Sequence, residues 1–261
     1  MQGTRTPLKT WFWAAFLVTV ETPGKSALQF QRLLGLTRYE TAFQLMHKLR
    51  AGMVRPEADA IGAEFPVEVD ECFLGGRTRG EGHGVHHKAV VVGGVEVRTR
   101  KDADERKAKW AESHEGGIPV KKLVYAGRLR LQVVPDKSMP HLTGFVKENV
   151  VKGATVRTDG CPSYALPEYK HEALVLGGDP LKAEAHLPMI HLVFSNLKTW
   201  VLGTHHGVSQ QHLQAYLNEF VFRFNRRFYP MTAFHSVLGI SARTVPPTYE
   251  SLYSGEWQHP T

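Results

Sequence analysis

Residues 66–76 read Pro66-Val67-Glu68-Val69-Asp70-Glu71-Cys72-Phe73-Leu74-Gly75-Gly76. Val67, Val69, Cys72 and Phe73 make a short apolar run, broken by a carboxylate pair and closed by two glycines. Such a run predicts a β-strand with alternate side chains on opposite faces. Asp70 and Glu71 are therefore expected on opposite sides, Glu71 in a supporting role. By itself Asp70 reads as a strand-end residue capping a turn. A second aspartate changes that reading, because Val156-Arg157-Thr158-Asp159-Gly160 is another short apolar strand ending in Asp. Two strand-borne aspartates far apart in sequence are what a two-metal phosphoryl-transfer site needs.

The chain has 261 residues, 42% of them hydrophobic, enough for a sizeable core in one large or two modest domains. Its net charge of +7 favours a polyanionic partner. Two cysteines, Cys72 and Cys161, exclude a disulfide framework and a four-cysteine zinc site, and read as small packing residues. The apolar run Trp11–Val20 is too short to span a bilayer and ends at Glu21 and Pro23. A soluble, cytoplasmic protein with no membrane partner is expected.

Outward from the aspartates, Pro7 to Met53 reads as helical. Leu8, Trp11, Phe12, Ala15 and Phe16 recur at helical spacing and Gly24 closes this first helix. A second helix runs over Lys25–Leu34 with Ser26 as N-cap. After the Gly35-Leu36-Thr37 turn, a third covers Arg38–Arg50 with Ala42, Leu45, Met46 and Leu49 inward. Helix, short Gly turn, helix is the helix-turn-helix pattern. Its outer face carries Arg38, Tyr39, Gln44, Lys48 and Arg50, donors suited to phosphates and base edges.

Beyond a linker over 55–65, strands are expected at 67–74, 88–97, 123–125, 129–134, 154–158 and 172–176, and helices at 139–150, 189–202 and 209–227. Residues 98–122 read as a charged surface excursion, 177–188 as irregular, and Gly75-Gly76 and Gly93-Gly94 as strand-end turns. The order predicts an α/β mixed sheet flanked by helices, preceded by a small all-helical segment. The expected domains are 1–55, 64–230 and a C-terminal tail, 231–261.

Mg²⁺ is hard and prefers carboxylates. Asp70 and Asp159 supply two, and a third ligand is expected from a following helix. That helix offers His191 and, two turns on, Lys198 on the same face. Asn196 is the other candidate ligand. The adjacent histidines of Gly203-Thr204-His205-His206-Gly207, and His86-His87, read as contacts to phosphate or solvent. Arg223, Arg226 and Arg227 form a basic helix end, suited to DNA backbone and equally ordinary as a solvated face.

Several runs resemble a DDE-type insertion-sequence transposase, more narrowly the fifteen-ninety-five family whose domain is called ISXO-two-like. They are PLKTW (7–11), AFQLMHKLRAGM (42–53), VDECFLGG (69–76), VRTDGCPSY (156–164), HLVFSNLKTWVLGTHHGVS (191–209) and HLQAYLNEFVFRFNRR (212–227). The resemblance implies a ribonuclease-H-like fold, a Mg²⁺ or Mn²⁺ cofactor, and DNA partners comprising terminal inverted repeats and target DNA. It also implies a dimer or higher oligomer on that DNA, in the bacterial nucleoid. Asp70 and Asp159 match the first two catalytic acids, and His191 falls where the third acid stands. His191 and Lys198 then keep the usual spacing, with Lys198 meeting a DNA phosphate. Imidazole in place of a carboxylate shifts preference toward Mn²⁺. Family members often carry a cysteine-rich zinc ribbon upstream, and with no cysteine before the helices here the resemblance leads one to expect either an element without the ribbon or a truncated reading frame. The expected activity is metal-dependent cleavage at insertion-sequence ends with strand transfer. The alternatives are an inactive or domesticated DNA-binding derivative and a nuclease without strand transfer.

Overall fold

The computed structural model describes residues 4–22, 24–55, 59–75, 88–175, 177 and 179–254. The expectations on Gly76, on the His86-His87 pair and on Leu176 lie outside these residues. The described residues group into two compact units. One is drawn from 1–58 and 198–261 with Gly75, the other from 59–74 and 88–197. This grouping differs from a division at 55 and 230, because late helices complete the core of the early ones.

In the first unit, α1 (Leu8–Val20) is apolar on nearly every side, so apolarity alone does not choose its inward face. Trp11, Ala14, Ala15 and Val18 are buried, while Leu8 and Phe12, expected inward, are 57% and 46% exposed. The small residues Ala14 and Ala15 allow close packing on α3 (Tyr39–Ala51) and α9 (Pro230–Ser241). Helix α2 (Ala27–Leu33) starts with a capping box: Gln29 N–H donates to Ser26 Oγ and Ser26 N–H to Gln29 Oε1. It ends in a Schellman turn, with Leu36 N–H donating to Gln31 O and Gly35 N–H to Arg32 O, and Gly35 supplies the φ of +63° this turn requires. Phe30, Met46 and Leu49 pack with Phe222 of α8 (Gln210–Asn225) and with Ala233 and Val237 of α9. The segment from 231, expected as a tail, thus carries part of a core and a further helix, α10 (Tyr249–Ser254).

The second unit is built on a five-stranded mixed sheet, ordered β3-β2-β1-β4-β5. The strands are β1 (Val67–Leu74), β2 (Ala89–Thr99), β3 (Val124–Val134), β4 (Thr155–Thr158) and β5 (Lys170–Ala173). β1, β2 and β3 pair antiparallel, while β4 runs parallel to β1 and β5 to β4. This is the ribonuclease-H-like arrangement. The two runs expected at 123–125 and 129–134 are one strand, because Ala126 continues the ladder and a register shift between Val95 and Val97 of β2 absorbs the irregularity. The charged excursion contains α4 (Ala103–Ser113), a surface helix with only Ala103 buried and an Arg106–Asp102 ion pair on its outside. The irregular stretch contains α6 (Pro180–His186).

Gly93 and Gly94 are not strand-end turns. They sit in the middle of β2, where each glycine seats a helix on one face of the sheet. Gly93 pairs with Asp70 across β1 and lies under Ile190 and Phe194 of α7 (Pro188–His205). Gly94 faces Phe145 of α5 (Met139–Asn149). A Cβ at Gly93 would meet Leu131, Phe194 and Ile190 at 2.8, 3.0 and 3.1 Å, whereas one at Gly94 would stand 3.4 Å from Phe145. Gly93→Val is therefore expected to cost about 1–3 kcal/mol by overpacking, and Gly94→Ala clearly less. Thermal denaturation of the two variants checks the order. Among the described residues, no helix is long and apolar enough to cross a membrane.

Candidate active site

The parallel pairing of β1 with β4 matches Val67 to Val156 and Glu68 to Arg157. Carried on three residues, this register sets Asp70 across from Asp159. β4 stops at Thr158, and Cys161 N–H turns back onto Asp159 Oδ1 (3.0 Å) through Gly160, whose φ is +78°. Asp159 is thereby held at the end of its strand by an Asx turn.

Asp70, Glu71 and Asp159 each place a carboxylate oxygen within 4.8 Å of the others. Glu71 therefore does not stand apart from Asp70, as strict alternation suggested. Its backbone does face the other side of the sheet, toward Tyr164 and the core formed by Val67, Val69 and α5. Beyond Glu68, however, β1 has no ladder partner on the β4 side, so carboxylates from both faces reach round the open edge. Tyr164 O–H donates to Glu71 Oε2 (2.7 Å), and the Lys137 ammonium lies 2.8 Å from Glu71 Oε1. Burial, reinforced by Glu71, pushes the Tyr164 phenol far up, so it remains a donor. Three converging carboxylate oxygens are hard donors, the set that Mg²⁺ or Mn²⁺ takes.

The ISXO2-like transposase domain model matches residues 62–225, the segment that contains this site. The chain belongs to the ISXO2-like transposase family. No curated protein and no solved structure matches it.

DDE transposases use divalent metal, and the acidic cluster of this transposase fits that requirement. His191, from the first half of α7, lies with Nε2 3.0 Å from Asp70 Oδ2. The hydrogen bond to Asp70 raises its pKa against the opposing effect of burial. Asn196 is exposed further along α7. Lys198 is exposed on the same helix.

Besides Tyr164, Glu68 and Lys137 escaped the sequence reading. Glu68 is fully buried, and its Oε2 accepts from the N–H groups of Met189 (2.7 Å) and Ile190 (2.8 Å) at the start of α7. Burial pushes its carboxyl up to about 7, with the two backbone bonds pulling the other way. Its only signal was a carboxylate two residues before Asp70, hence on the same strand face. Lys137 lies in the turn before α5, where nothing in its spacing marks it. Burial pulls its pKa down, but the bond to Glu71 and the charges of Glu71, Asp70 and Asp159 together raise it. A unit charge paired with a carboxylate that would also face a divalent ion is worth on the order of 1 kcal/mol against that ion after screening in a half-exposed site. Lys137→Met is accordingly expected to tighten Mn²⁺ affinity by roughly fivefold, read by calorimetric titration.

The residues expected to touch DNA fall into two groups. Arg38 and Tyr39 are exposed, and Gln44 and Lys48 half-buried, in the α2–α3 region. Arg50 is corrected: only 1% exposed, it donates Nε–H to Glu219 Oε2 (2.8 Å) and stacks over Tyr216. Arg50 stands four residues after the inward Met46, at the edge of the buried face, and a buried acid on a distant helix holds its side chain inward. Arg226 lies over the Phe222 ring, while Arg227 is exposed beside Phe224 and Phe228. His205 is not a solvent or phosphate contact. It packs edge-on against Trp200 and Tyr216, and burial drops its pKa to about 3.

Proposed function

We propose that this protein is a DNA transposase that cleaves at the ends of its insertion sequence in a metal-dependent reaction and transfers the strand into target DNA. The observation that carries this reading is the convergence of Asp70, Glu71 and Asp159 at the open end between parallel strands, inside a family-matched transposase domain. In this reading Asp70, Asp159 and His191 hold Mg²⁺ or Mn²⁺. Bound divalent ions would activate the attacking oxygen and stabilise the leaving one. Glu71 adds negative charge to the set, and Tyr164 keeps its carboxylate oriented. Imidazole favours Mn²⁺ over Mg²⁺, so faster turnover is expected with Mn²⁺.

The remaining roles concern DNA. Lys198 meets a phosphate near the reacting bond. The α2–turn–α3 segment acts as a helix-turn-helix, with Arg38, Tyr39, Gln44 and Lys48 reaching the duplex. Arg226 and Arg227 contact its backbone, and Arg50 drops out of the set. The partners are terminal inverted repeats and target DNA, held by a dimer or higher oligomer.

The test incubates labelled terminal-repeat DNA and a target plasmid with the protein and Mn²⁺ or Mg²⁺. Cut and joined products support the reading. Cutting without joining indicates a nuclease, and DNA binding with no metal-dependent product indicates a binding protein; either outcome overturns it.

A further inference from the structure

We propose that Glu68 is a positioning residue that caps helix α7 from inside the neighbouring strand and thereby fixes His191 against Asp70. The inference rests on the reading of His191 as a metal ligand.

The first turn of any helix leaves N–H groups without partners, normally satisfied by a Ser, Thr, Asp or Asn just before it. Here the residues before the helix are His186 and Leu187, and the helix opens at Pro188. Leu187 has no side-chain acceptor to offer. The acceptor comes instead from β1, where Glu68 takes both the Met189 and Ile190 N–H groups on one oxygen. A carboxylate at this helix end is also favoured by the helix dipole.

The consequence is geometric. Glu68 and Asp70 project from the same face of β1, two residues apart. Ile190, held by Glu68, directly precedes His191, held by Asp70. Two hydrogen bonds therefore close a short circuit through Glu68, Val69, Asp70, His191 and Ile190. Neither the height nor the rotation of the imidazole can change without breaking one of them. Two further contacts fix the same helix start. Gly93, opposite Asp70, leaves room for Ile190 and Phe194 to lie against the sheet. His186 Nε2 bonds to Thr158 O (3.0 Å), the carbonyl just before Asp159.

A merely structural carboxylate would be an expensive choice in this place. Glu68 is fully buried, and its Oε1 has no partner among the described residues. Burying it is reasonable when reach from the strand is what matters.

Reach and charge are separated by two conservative variants of the full chain. Glu68→Gln keeps the length and an acceptor oxygen. Glu68→Asp keeps the charge but is one methylene too short. Mn²⁺ affinity is measured by electron paramagnetic resonance, with folding followed by circular dichroism. Glu68→Gln is expected to bind within about threefold of wild type, and Glu68→Asp about tenfold more weakly, as for other residues that orient metal ligands. In a His191→Ala background, Glu68→Asp should cause no further loss.

Affinity that follows charge instead, weak in Glu68→Gln and intact in Glu68→Asp, overturns the proposal. So does an equal loss from Glu68→Asp with and without His191. If Glu68→Asp does not fold, Glu68→Gln decides alone: near-wild-type affinity supports the proposal and a tenfold loss overturns it. Should His191→Ala itself leave Mn²⁺ affinity unchanged, the ligand reading of His191 falls and takes this inference with it. That failure is distinct from a Glu68 failure with His191 intact.

Discussion

Asp159→Asn and Asp70→Asn are each expected to reduce metal-dependent DNA cleavage by about a thousandfold or more while the protein stays folded. Each change removes one negative charge and one strong oxygen donor from a cluster whose oxygens lie within 4.8 Å of one another. Losing metal stabilisation of the reacting phosphate forfeits several kcal/mol, and each 1.36 kcal/mol is tenfold in rate. Folding responds in the opposite direction. With no ion to neutralise them, three carboxylates repel one another, so an amide at position 159 relieves repulsion. The expected melting temperature is equal to or slightly above that of wild type without metal. Cleavage assays paired with thermal melts read both quantities, and an active Asp159→Asn protein would remove Asp159 from the chemistry.

Glu219→Ala is expected to carry the largest stability loss in the molecule. Arg50 is 1% exposed and Glu219 fully buried, joined by a 2.8 Å bond between α3 and α8 with the guanidinium stacked on Tyr216. Removing one partner leaves a buried charge uncompensated, which costs about 3–5 kcal/mol. For a chain of this size that lowers the melting temperature by roughly 10 °C. Removing both partners together, as Arg50→Met with Glu219→Leu, should recover most of the loss. Urea denaturation of the two singles and the double measures the coupling, and a single-variant loss below about 1 kcal/mol would contradict this account.

The sheet and the two aspartates were legible because their signals are local: short apolar runs that carry an Asp and are followed by glycine, although Asp70 stands in the middle of β1 and not at its end. The Ser26 cap and the Gly35 turn were legible for the same reason. What escaped depends on partners distant in sequence. Strand alternation fixes where a Cβ points, but it does not say that β1 loses its neighbour beyond Glu68, and only that open edge lets Glu71 join Asp70 and Asp159. Arg50 is a charged residue at the edge of the apolar stripe of α3, and its burial is matched by Glu219, 169 positions away. Gly93 and Gly94 carry the composition of a turn, yet the ladder runs through them and two helices rest on the space they leave. Glu68 was hidden because a strand-borne carboxylate gives no sequence sign of capping a helix some 120 residues later.

Diffraction from crystals of the protein soaked in Mn²⁺, recorded at a wavelength where manganese scatters anomalously, tests the central claim most directly. The expected map has a peak within about 2.0–2.4 Å of carboxylate oxygens from both Asp70 and Asp159. At saturating Mn²⁺, no peak between those two residues, or ions only elsewhere on the surface, would contradict the assignment of this site as the metal centre of the transposase.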